Sequence, residues 1–345
     1  MSGTATAPAC LGRARELVQP ALRHAVEGLA PQLRAVIEYH LGFVDRDGRP
    51  AIGDGGKAVR PTLAFLSAEA VRARADVAMP GAVAVELVHN FSLLHDDVMD
   101  RDLERRHRPT AWALFGVGQA IVTGDALLVL AHQLLLDPPS AERERASVAL
   151  TRATAQMIAG QAEDLAFESR TDVTVEECLR MCAHKTGALL SFAASVGAIL
   201  AGADEPAVQA LEDFGLHLGL AFQAVDDILG IWGRAEMTGK PVAGDLRTSK
   251  KTLPVVAAMA SLAETPGSAK EAEQLLRYLA DGHLAEEDVM AAVDLVERGE
   301  GRERSMALAD RELQQALDCL DRVKLDPVAR TELAELAAFV TARDF

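Results

Sequence analysis

Residues 92–110 read SLLHDDVMDRDLERRHRPT, a stretch in which an acidic cluster is followed closely by a basic one. The cluster ends an apolar segment whose hydrophobic residues recur every three or four positions, which predicts a helix over 79–101. On that helix Ser92, Asp96 and Asp100 share one face, with the Cβ atoms of the two acids ~5–6 Å apart. Like charges so close destabilise a helix C-terminus, so the pattern indicates a compensating cation.

A second acidic pair lies in AFQAVDDILGIWG, residues 221–233. Asp226 and Asp227 follow an apolar periodic segment, and Gln223 precedes Asp226 by about one turn. Either cluster alone is more simply a solvated acidic face in so acidic a chain. Two clusters with apolar flanks favour function, because carboxylates are seldom buried without partners. Oxygen ligands suit Mg²⁺, which takes one or two carboxylates and completes its shell with water and phosphate oxygens.

Composition limits the class of protein. The 345 residues are 49% hydrophobic, 25% charged and only 4% aromatic, which favours a folded helical protein over a β-rich one. The net charge of −16 argues against a nucleic-acid partner. The N-terminus lacks the apolar core of a signal peptide, and apolar runs stay short of the ~18 residues of a membrane span. We therefore expect a cytoplasmic protein without a membrane span, and reduced cysteines.

Apolar periodicity predicts an all-α protein, with one domain over 1–345 and a flexible tail at 1–10. Turn-forming residues separate the predicted helices, and none of these breaks resembles an interdomain linker. The helices are expected at 11–40, 58–74, 79–101, 110–136, 141–168, 174–202, 205–234, 252–264, 269–281, 285–299, 302–322 and 327–342.

Basic residues are concentrated at helix starts and turns. Backbone N–H groups and the helix dipole add to the charge of Lys and Arg there, which suits phosphate binding. Any single one is more simply a surface charge, and only convergence on one site would give them a role. Together with Mg²⁺ on the aspartates, converging cations would neutralise a diphosphate and make it a good leaving group. The residues are Lys57, Arg60, Arg105, Arg106, Lys185, Lys240, Lys250 and Lys251.

The chain resembles the trans-isoprenyl diphosphate synthase (polyprenyl synthetase) family from about residue 55 to 255. Six family motifs occur in order. They are GGKAVRP, DDVMDRDLERRHRPT, GQAEDLAF, the pair Lys185-Thr186, FQAVDD and GKPVAGDLRTSKKT. The resemblance implies the isoprenoid synthase fold, about a dozen mostly antiparallel helices around a central cavity. It also implies a homodimer with the two aspartate motifs facing each other across the cavity mouth.

The resemblance assigns roles to individual residues. Up to three Mg²⁺ would be bound by Asp96, Asp100 and Asp226. The allylic diphosphate would be held by Arg105, Lys185, Lys240 and Lys250. Isopentenyl diphosphate would be held by Lys57, Arg60, His89 and Arg106. The site would be lined or supported by Gln161, Asp164, Thr186 and Gln223, and neighbours would be oriented by Asp97 and Asp227.

The implied reaction is a head-to-tail condensation of isopentenyl diphosphate with an allylic diphosphate. Two alternatives stay open: a terpene synthase that cyclises a prenyl diphosphate, and a non-catalytic subunit that regulates an active synthase. The residues expected to hold isopentenyl diphosphate disfavour the first, and intact metal-binding aspartates disfavour the second. Two departures from the family pattern bear on activity, since Gly230 replaces the third Asp of the second motif and Ser249 replaces a frequent Gly.

Product length in this family depends on residues just before the first aspartate motif. Ser92 is small and lies one turn below Asp96, which leaves the cavity open, whereas Phe91 offers a bulky partial floor. A single aromatic residue here resembles geranylgeranyl diphosphate synthases and predicts a twenty-carbon product. Plain core packing of Phe91 is the simpler alternative.

Overall fold

The computed structural model describes residues 7–51, 56–233, 242–280 and 284–342, and it confirms the all-α class. The first half contains α1 (Ala9–Glu27), α2 (Pro31–His40), α3 (Val59–Ala70), α4 (Met79–Met99), α5 (Ala111–Phe115), α6 (Val117–Leu136) and α7 (Ala141–Glu168). The second half contains α8 (Val175–Cys182), α9 (Ala188–Leu200), α10 (Glu205–Trp232), α11 (Gly244–Arg247), α12 (Leu253–Glu264), α13 (Ala269–Ala280), α14 (Val289–Arg298), α15 (Gly301–Leu320) and α16 (Pro327–Thr341).

Two corrections concern the N-terminal region. The single helix expected over 11–40 is two helices, α1 and α2, and the second begins at Pro31. Proline has no N–H for the preceding turn, but its fixed φ suits the first position of a helix. The tail expected at 1–10 is too long, because α1 already begins at Ala9 and Cys10 is buried.

The helix expected over 110–136 is also divided. Gly116, between α5 and α6, has a φ of 87°, in the left-handed region that glycine adopts without strain. Most other predicted helices agree with the structure to within a few residues. The one expected over 174–202 contains a π-helical turn, Ala183–Gly187, which joins α8 to α9.

A short hairpin follows α4 and was not predicted. Its strands are β1 (Glu104–Arg105) and β2 (Arg108–Pro109). The turn residues Arg106 and His107 have φ values of 52° and 58°, the backbone of a type I′ turn. Such conformations cost non-glycine residues on the order of 1–3 kcal/mol each, so surrounding contacts must hold the turn. Arg108 provides two, donating to the carbonyl oxygens of Tyr39 at 3.1 Å and Val44 at 3.0 Å.

The core positions the two helices that carry the aspartates. α9 packs against both α4 and α10, and so lies between them. α3 packs on α9, α6 packs on α4, and α15 runs along α10. A further cluster of buried side chains joins the end of α10 to α11, α12, α13 and α14. The polar ends of α4 and α10 are therefore held relative to one another by packing on the same helix, α9, and not by being close in sequence.

In the part of the chain that the structure describes, four helical stretches are long and apolar enough to cross a bilayer, judged by length and composition alone. They are 75–99, 117–136, 175–200 and 205–232. The apolar window is 61%, 39%, 72% and 61% buried within the fold, so α6 is the least covered of the four. Its exposed apolar side chains are Val117, Ile121, Val122, Val129 and Leu136. The expected lack of a membrane span stays a prediction.

Candidate active site

The end of α4 presents the first acidic cluster. Asp96 and Asp100 are half-buried, and Asp100 follows the last residue of the helix. Burial raises the pKa of the Asp96 carboxyl; the Lys185 ammonium opposes this rise, and the Asp100 carboxylate adds to it. A cation brought to this face would relieve the repulsion between the two acids.

Lys250 connects this face to the loop after α11. Its Nζ donates a hydrogen bond to Oδ2 of Asp100 at 3.1 Å. Burial lowers the pKa of the Lys250 ammonium group, but the charges of Asp100, Asp164 and Asp245 outweigh burial, so the pKa is above its ordinary value. Carboxylates from three separate parts of the chain therefore surround one lysine.

The π-helical turn presents Lys185, whose Nζ donates to Oδ2 of Asp164 in α7 at 2.6 Å. The turn lies this close to α7 because residue 160 is glycine: a Cβ on Gly160 would stand 2.4 Å from the Lys185 backbone nitrogen. One turn before Asp164, the side-chain amide of Gln161 is buried with no hydrogen-bond partner among the described residues. Buried polar groups of this kind commonly bind water or a ligand.

Asp227 anchors a hydrogen-bond network behind the site. Its Oδ1 accepts from the Gln223 side-chain amide at 2.7 Å, and its Oδ2 accepts from the backbone N–H of Leu253 at 3.0 Å. The Thr186 hydroxyl donates to Oε1 of Gln223 at 2.7 Å. Burial raises the pKa of the Asp227 carboxyl to about 7, although both donated hydrogen bonds oppose the rise. The network ties α10 to the π-helical turn and to the start of α12.

Asp226 differs from its neighbour in being exposed on α10. Asp226 and Asp96 are linked indirectly, through Lys250. Lys250 binds Asp100 and lies near Asp245, whose carboxylate rests on α10 one turn beyond Asp226. The two aspartate motifs thus approach one another around the loop that follows α11.

The hairpin after α4 positions Arg105. Its Nε donates to Oδ1 of Asp97 at 2.7 Å. Asp97 is 1% exposed, and burial raises the pKa of its carboxyl to about 6 against the opposing charge of Arg105. Asp97 therefore holds the Arg105 side chain, and its predicted role as an orienting residue in the site stays a prediction.

A second cationic cluster forms where α3, α4 and the hairpin meet. Burial lowers the pKa of His89 well below 6.5, and the charges of Arg60 and Arg106 lower it further, so its imidazole is neutral. Burial also lowers the pKa of the Arg60 guanidinium, while Glu86 opposes this effect. The guanidinium groups of Arg60 and Arg106 therefore lie near His89, and Arg is the residue type whose paired N–H donors best match a phosphate anion.

Lys57 lies just before α3 and beside the C-terminal helix. Its Nζ is 5.6 Å from the centre of the Phe339 ring in α16, within range of a cation–π contact. Its neighbour Gly56 lies against the hairpin, since an added Cβ would be 3.0 Å from Nη2 of Arg106. Gly56, Lys57, the hairpin and α16 therefore border the same region.

The two residues predicted to set product length lie on α4. Phe91 is buried and packs edge-to-face on His95, with ring centroids 4.8 Å apart. The His95 ring fills a notch at Gly124 of α6, where an added Cβ would be 2.4 Å from Nε2. The half-buried Ser92 donates its hydroxyl hydrogen to the carbonyl oxygen of His89 at 2.8 Å. Phe91 is therefore held in place by a second ring.

Lys240 and Lys251 differ from the other lysines of the basic set. Lys240 lies outside the described residues, so its role stays a prediction. Lys251 does not join the site: its Nζ donates to the carbonyl oxygens of Glu168 at 3.0 Å and Leu279 at 3.1 Å. This buried ammonium group joins the C-terminal ends of α7 and α13.

Sequence reasoning missed two acids that the structure places beside the clusters. Glu86 lies in the apolar first half of α4, before the aspartate motif, and an acid in such a segment is a signal that a buried cation is near. Asp245 belongs to the GDL segment, but its partner in space, Gly230, could not be recognised from spacing. Both residues bear on how the charges of the site are balanced.

Residues 48–296, more than half of the chain, match the family model described as Polyprenyl synthetase. The chain belongs to the polyprenyl synthetase family. The (2E,6E)-farnesyl diphosphate synthase of Mycobacterium tuberculosis is 50% identical over 337 residues, covering 96% of this chain and 92% of the relative. The geranylgeranyl diphosphate synthase of the same organism is 41% identical over 337 residues, covering 97% and 94%.

A solved structure gives the same result for the fold. The crystal structure of a polyprenyl synthetase from Streptomyces coelicolor superposes with a TM-score of 0.90 at 50% identity, covering 97% of this chain and 99% of that one. This member of the polyprenyl synthetase family is therefore a trans-prenyltransferase with the all-α isoprenoid synthase fold.

The acids of the site are compatible with Mg²⁺ held jointly with a substrate. Within the described ranges, no three His, Cys, Asp or Glu side chains lie close enough to hold a metal ion by themselves. Mg²⁺ does not require such a cage, since one or two carboxylates suffice when diphosphate and water supply the other oxygens. Asp96 and Asp100, whose mutual repulsion a cation would relieve, provide that pair.

Proposed function

We propose that this trans-prenyltransferase is a Mg²⁺-dependent synthase that condenses isopentenyl diphosphate with an allylic diphosphate, head to tail, to give a longer all-trans prenyl diphosphate. The hydrogen bond from Lys250 to Asp100 carries the proposal. It brings the loop after the second aspartate motif onto the first motif, as binding of one diphosphate by both requires. The cationic cluster around Arg60 and His89 then offers a place for the second diphosphate.

The allylic diphosphate would bind at the aspartate motifs. Asp96, Asp100 and Asp226 would hold the metal ions, up to three, which neutralise charge on the departing diphosphate. Lys250 is held on Asp100 by an ion pair, and Lys185, which pairs with Asp164, lies close enough to Asp96 to act on its carboxyl. Both ammonium groups would bind phosphate oxygens. The remaining oxygens would be bound by Arg105 and Lys240.

Isopentenyl diphosphate would bind to the second cationic cluster. Arg60 and Arg106 offer planar pairs of N–H donors that match phosphate oxygens, and neutral His89 can donate one more. Lys57 would add a point charge from the GGK segment. Glu86 offsets part of the charge of Arg60 and opposes the lowering of its pKa by burial.

The chain itself supplies positioning and exclusion of water rather than a nucleophile. The allylic C–O bond breaks, the double bond of isopentenyl diphosphate attacks the resulting cation, and the released diphosphate accepts the proton. Water would quench that cation, so the apolar surroundings of α4, α9 and α10 are part of the chemistry. The network of Asp227, Gln223 and Thr186 fixes α10 against the π-helical turn and the start of α12.

We further propose a short-chain product. The twenty-carbon product predicted from Phe91 and Ser92 stays a prediction, and a relative named for geranylgeranyl diphosphate is 41% identical. A relative named for farnesyl diphosphate is 50% identical, which favours a product one isoprene unit shorter. The buried ring of Phe91, backed by His95, is the feature of this chain that would limit the length.

Homodimer formation and a cytoplasmic location complete the proposal. The exposed apolar residues of α6 form a face that a second copy of this chain would cover, and Val129 is 65% exposed on it. Val129→Glu should convert the dimer to a monomer in sedimentation analysis without detergent. An unchanged dimer would show that the interface lies elsewhere on the protein.

The cysteines support a cytoplasmic location, because buried, unpaired thiols suit a reducing compartment.

Product analysis by mass spectrometry tests the catalytic proposal. The purified protein is incubated with Mg²⁺, isopentenyl diphosphate and each allylic primer in turn, with and without a chelator. Metal-dependent chain extension is expected, and the longest product decides between fifteen and twenty carbons. Hydrocarbon formed from farnesyl diphosphate alone would favour a terpene synthase. Activity that requires a homologue would favour a regulatory subunit.

A further inference from the structure

Gly230 of α10 stands where the second aspartate motif of the family usually has its third Asp. The space that a side chain at 230 would occupy is taken by the side chain of another residue, Asp245. A Cβ built on Gly230 would lie 1.9 Å from Oδ2 and 2.6 Å from Cγ of Asp245. These separations are far below van der Waals contact, so a side chain at 230 would require the Asp245 carboxylate to move away from α10. Asp245 therefore rests directly on α10, one turn beyond Asp226.

Several contacts fix Asp245 in this position. The backbone N–H of Ala243 donates to the carbonyl oxygen of Ile231 at 3.1 Å, which ties the loop to the end of α10. Leu246 is fully buried in the same cluster as Ile231. The carbonyl oxygen of Asp245 accepts from the backbone N–H of Lys250 at 2.9 Å. The backbone that carries the carboxylate is thus fixed by core packing and backbone hydrogen bonds.

We propose that Asp245 supplies the third carboxylate of the second aspartate motif from a different element of the chain, and that Gly230 is the residue that makes room for it. The inference rests on the proposed function and deepens it, by naming a residue that acts toward the metal and diphosphate. Asp245 lies on the same face of α10 as Asp226, since residues four apart on a helix are neighbours. It also lies close to Lys250, which binds Asp100.

The effect expected of Gly230→Asp on metal binding is opposite to that expected if Gly230 were simply a lost ligand. If the third acid were merely missing, Gly230→Asp would restore it and tighten metal binding. In this structure the new side chain would instead displace Asp245, so the single substitution should weaken binding. Moving the acid, with Gly230→Asp and Asp245→Gly together, should recover most of the loss because only one carboxylate then occupies the space.

Titration of the protein with Mn²⁺ in the presence of inorganic diphosphate, followed by electron paramagnetic resonance, tests this without an activity assay. Asp245→Asn should weaken Mn²⁺ binding about 10–100-fold, the usual effect of losing a supporting partner at a metal site. Gly230→Asp should weaken binding as well, and the exchanged double variant should recover. Glu286→Gln is the matched control. It removes the ion-pair partner of Arg247, which lies in α11 with Asp245, but leaves Asp245 unchanged. Thermal unfolding of each variant verifies that it is folded.

Three results would overturn the inference: unchanged binding by Asp245→Asn, tighter binding by Gly230→Asp alone, or equal losses in Asp245→Asn and Glu286→Gln. Equal losses in the two variants would mean that Asp245→Asn weakens Mn²⁺ binding only by loosening this segment of the chain. A wild-type protein that binds no Mn²⁺ with diphosphate would overturn the proposed function itself. Normal wild-type binding with an unaffected Asp245→Asn would overturn this inference alone.

Discussion

Lys250 and Asp100 are 150 positions apart in the sequence and are joined by a hydrogen bond of 3.1 Å between Nζ and Oδ2. Asp100 ends α4, and Lys250 lies in the loop between α11 and α12. Both side chains are more than two-thirds covered, at 30% and 21% exposure. Charges interact more strongly in such surroundings than in bulk water. The contact therefore fixes how the loop after the second aspartate motif lies on the first.

Replacing Lys250 tests its predicted part in diphosphate binding. Lys250→Met should lower kcat/KM about 100-fold, because one preorganised cation is lost where charge develops. Steady-state kinetics with isopentenyl diphosphate and an allylic primer measure the loss. Lys270→Met, at an exposed position of α13, is the control and should leave the rate unchanged. Equal rates for wild type and Lys250→Met would remove Lys250 from the site.

The ring of Phe91 should limit product length. Phe91→Ala removes the ring that packs on His95, so the growing chain gains space beneath the aspartates and longer products are expected. Mass spectrometry of the products measures the shift. Phe43→Ala, which removes a buried ring outside α4, should cost stability without lengthening the product. An unchanged product distribution in Phe91→Ala would mean that the ring is only core packing.

His40 at the end of α2 should make stability depend on pH. Burial lowers its pKa from 6.5 to about 3, and the charges of Arg105 and Arg106 contribute. The unfolded chain therefore binds a proton that the folded chain excludes, and stability falls as pH drops from about 6.5 toward 3, by up to about 1.4 kcal/mol per pH unit.

His40→Gln should reduce this dependence, because glutamine does not titrate. Urea unfolding at pH 7.5 and pH 5 measures the difference in the free energy of unfolding for each protein. His24→Gln, at an exposed position of α1, is the control and should retain the wild-type pH dependence. Identical pH dependence in wild type and His40→Gln would show that His40 is protonated in the folded protein.

Lys251 should contribute to stability. Its Nζ joins the carbonyl oxygens of Glu168 and Leu279, so Lys251→Met leaves one part-buried and one buried acceptor without their donor. A loss of about 1–3 kcal/mol in the free energy of unfolding is expected. Chemical denaturation measures it, with the exposed Lys324→Met as control. A loss no larger than that of the control would contradict this role.

The all-α class, most helices and the family were predictable because they depend on local periodicity and on residue types in fixed order. The errors have local physical causes. Pro31 and Gly116 interrupted helices whose apolar pattern continued across them, since apolar periodicity does not register a missing N–H or a positive φ. The hairpin around Arg106 was missed because its turn uses non-glycine residues with positive φ.

The sequence by itself determined the helical class, the family and which acids and bases the site would draw on. Only the tertiary structure decided their arrangement. Of two adjacent lysines, Lys250 binds Asp100 whereas Lys251 joins the ends of two helices. Asp245 occupies the space left by Gly230. Such contacts join residues far apart in the chain, and the backbone path that directs each side chain is set by packing of the whole fold, which local patterns do not encode.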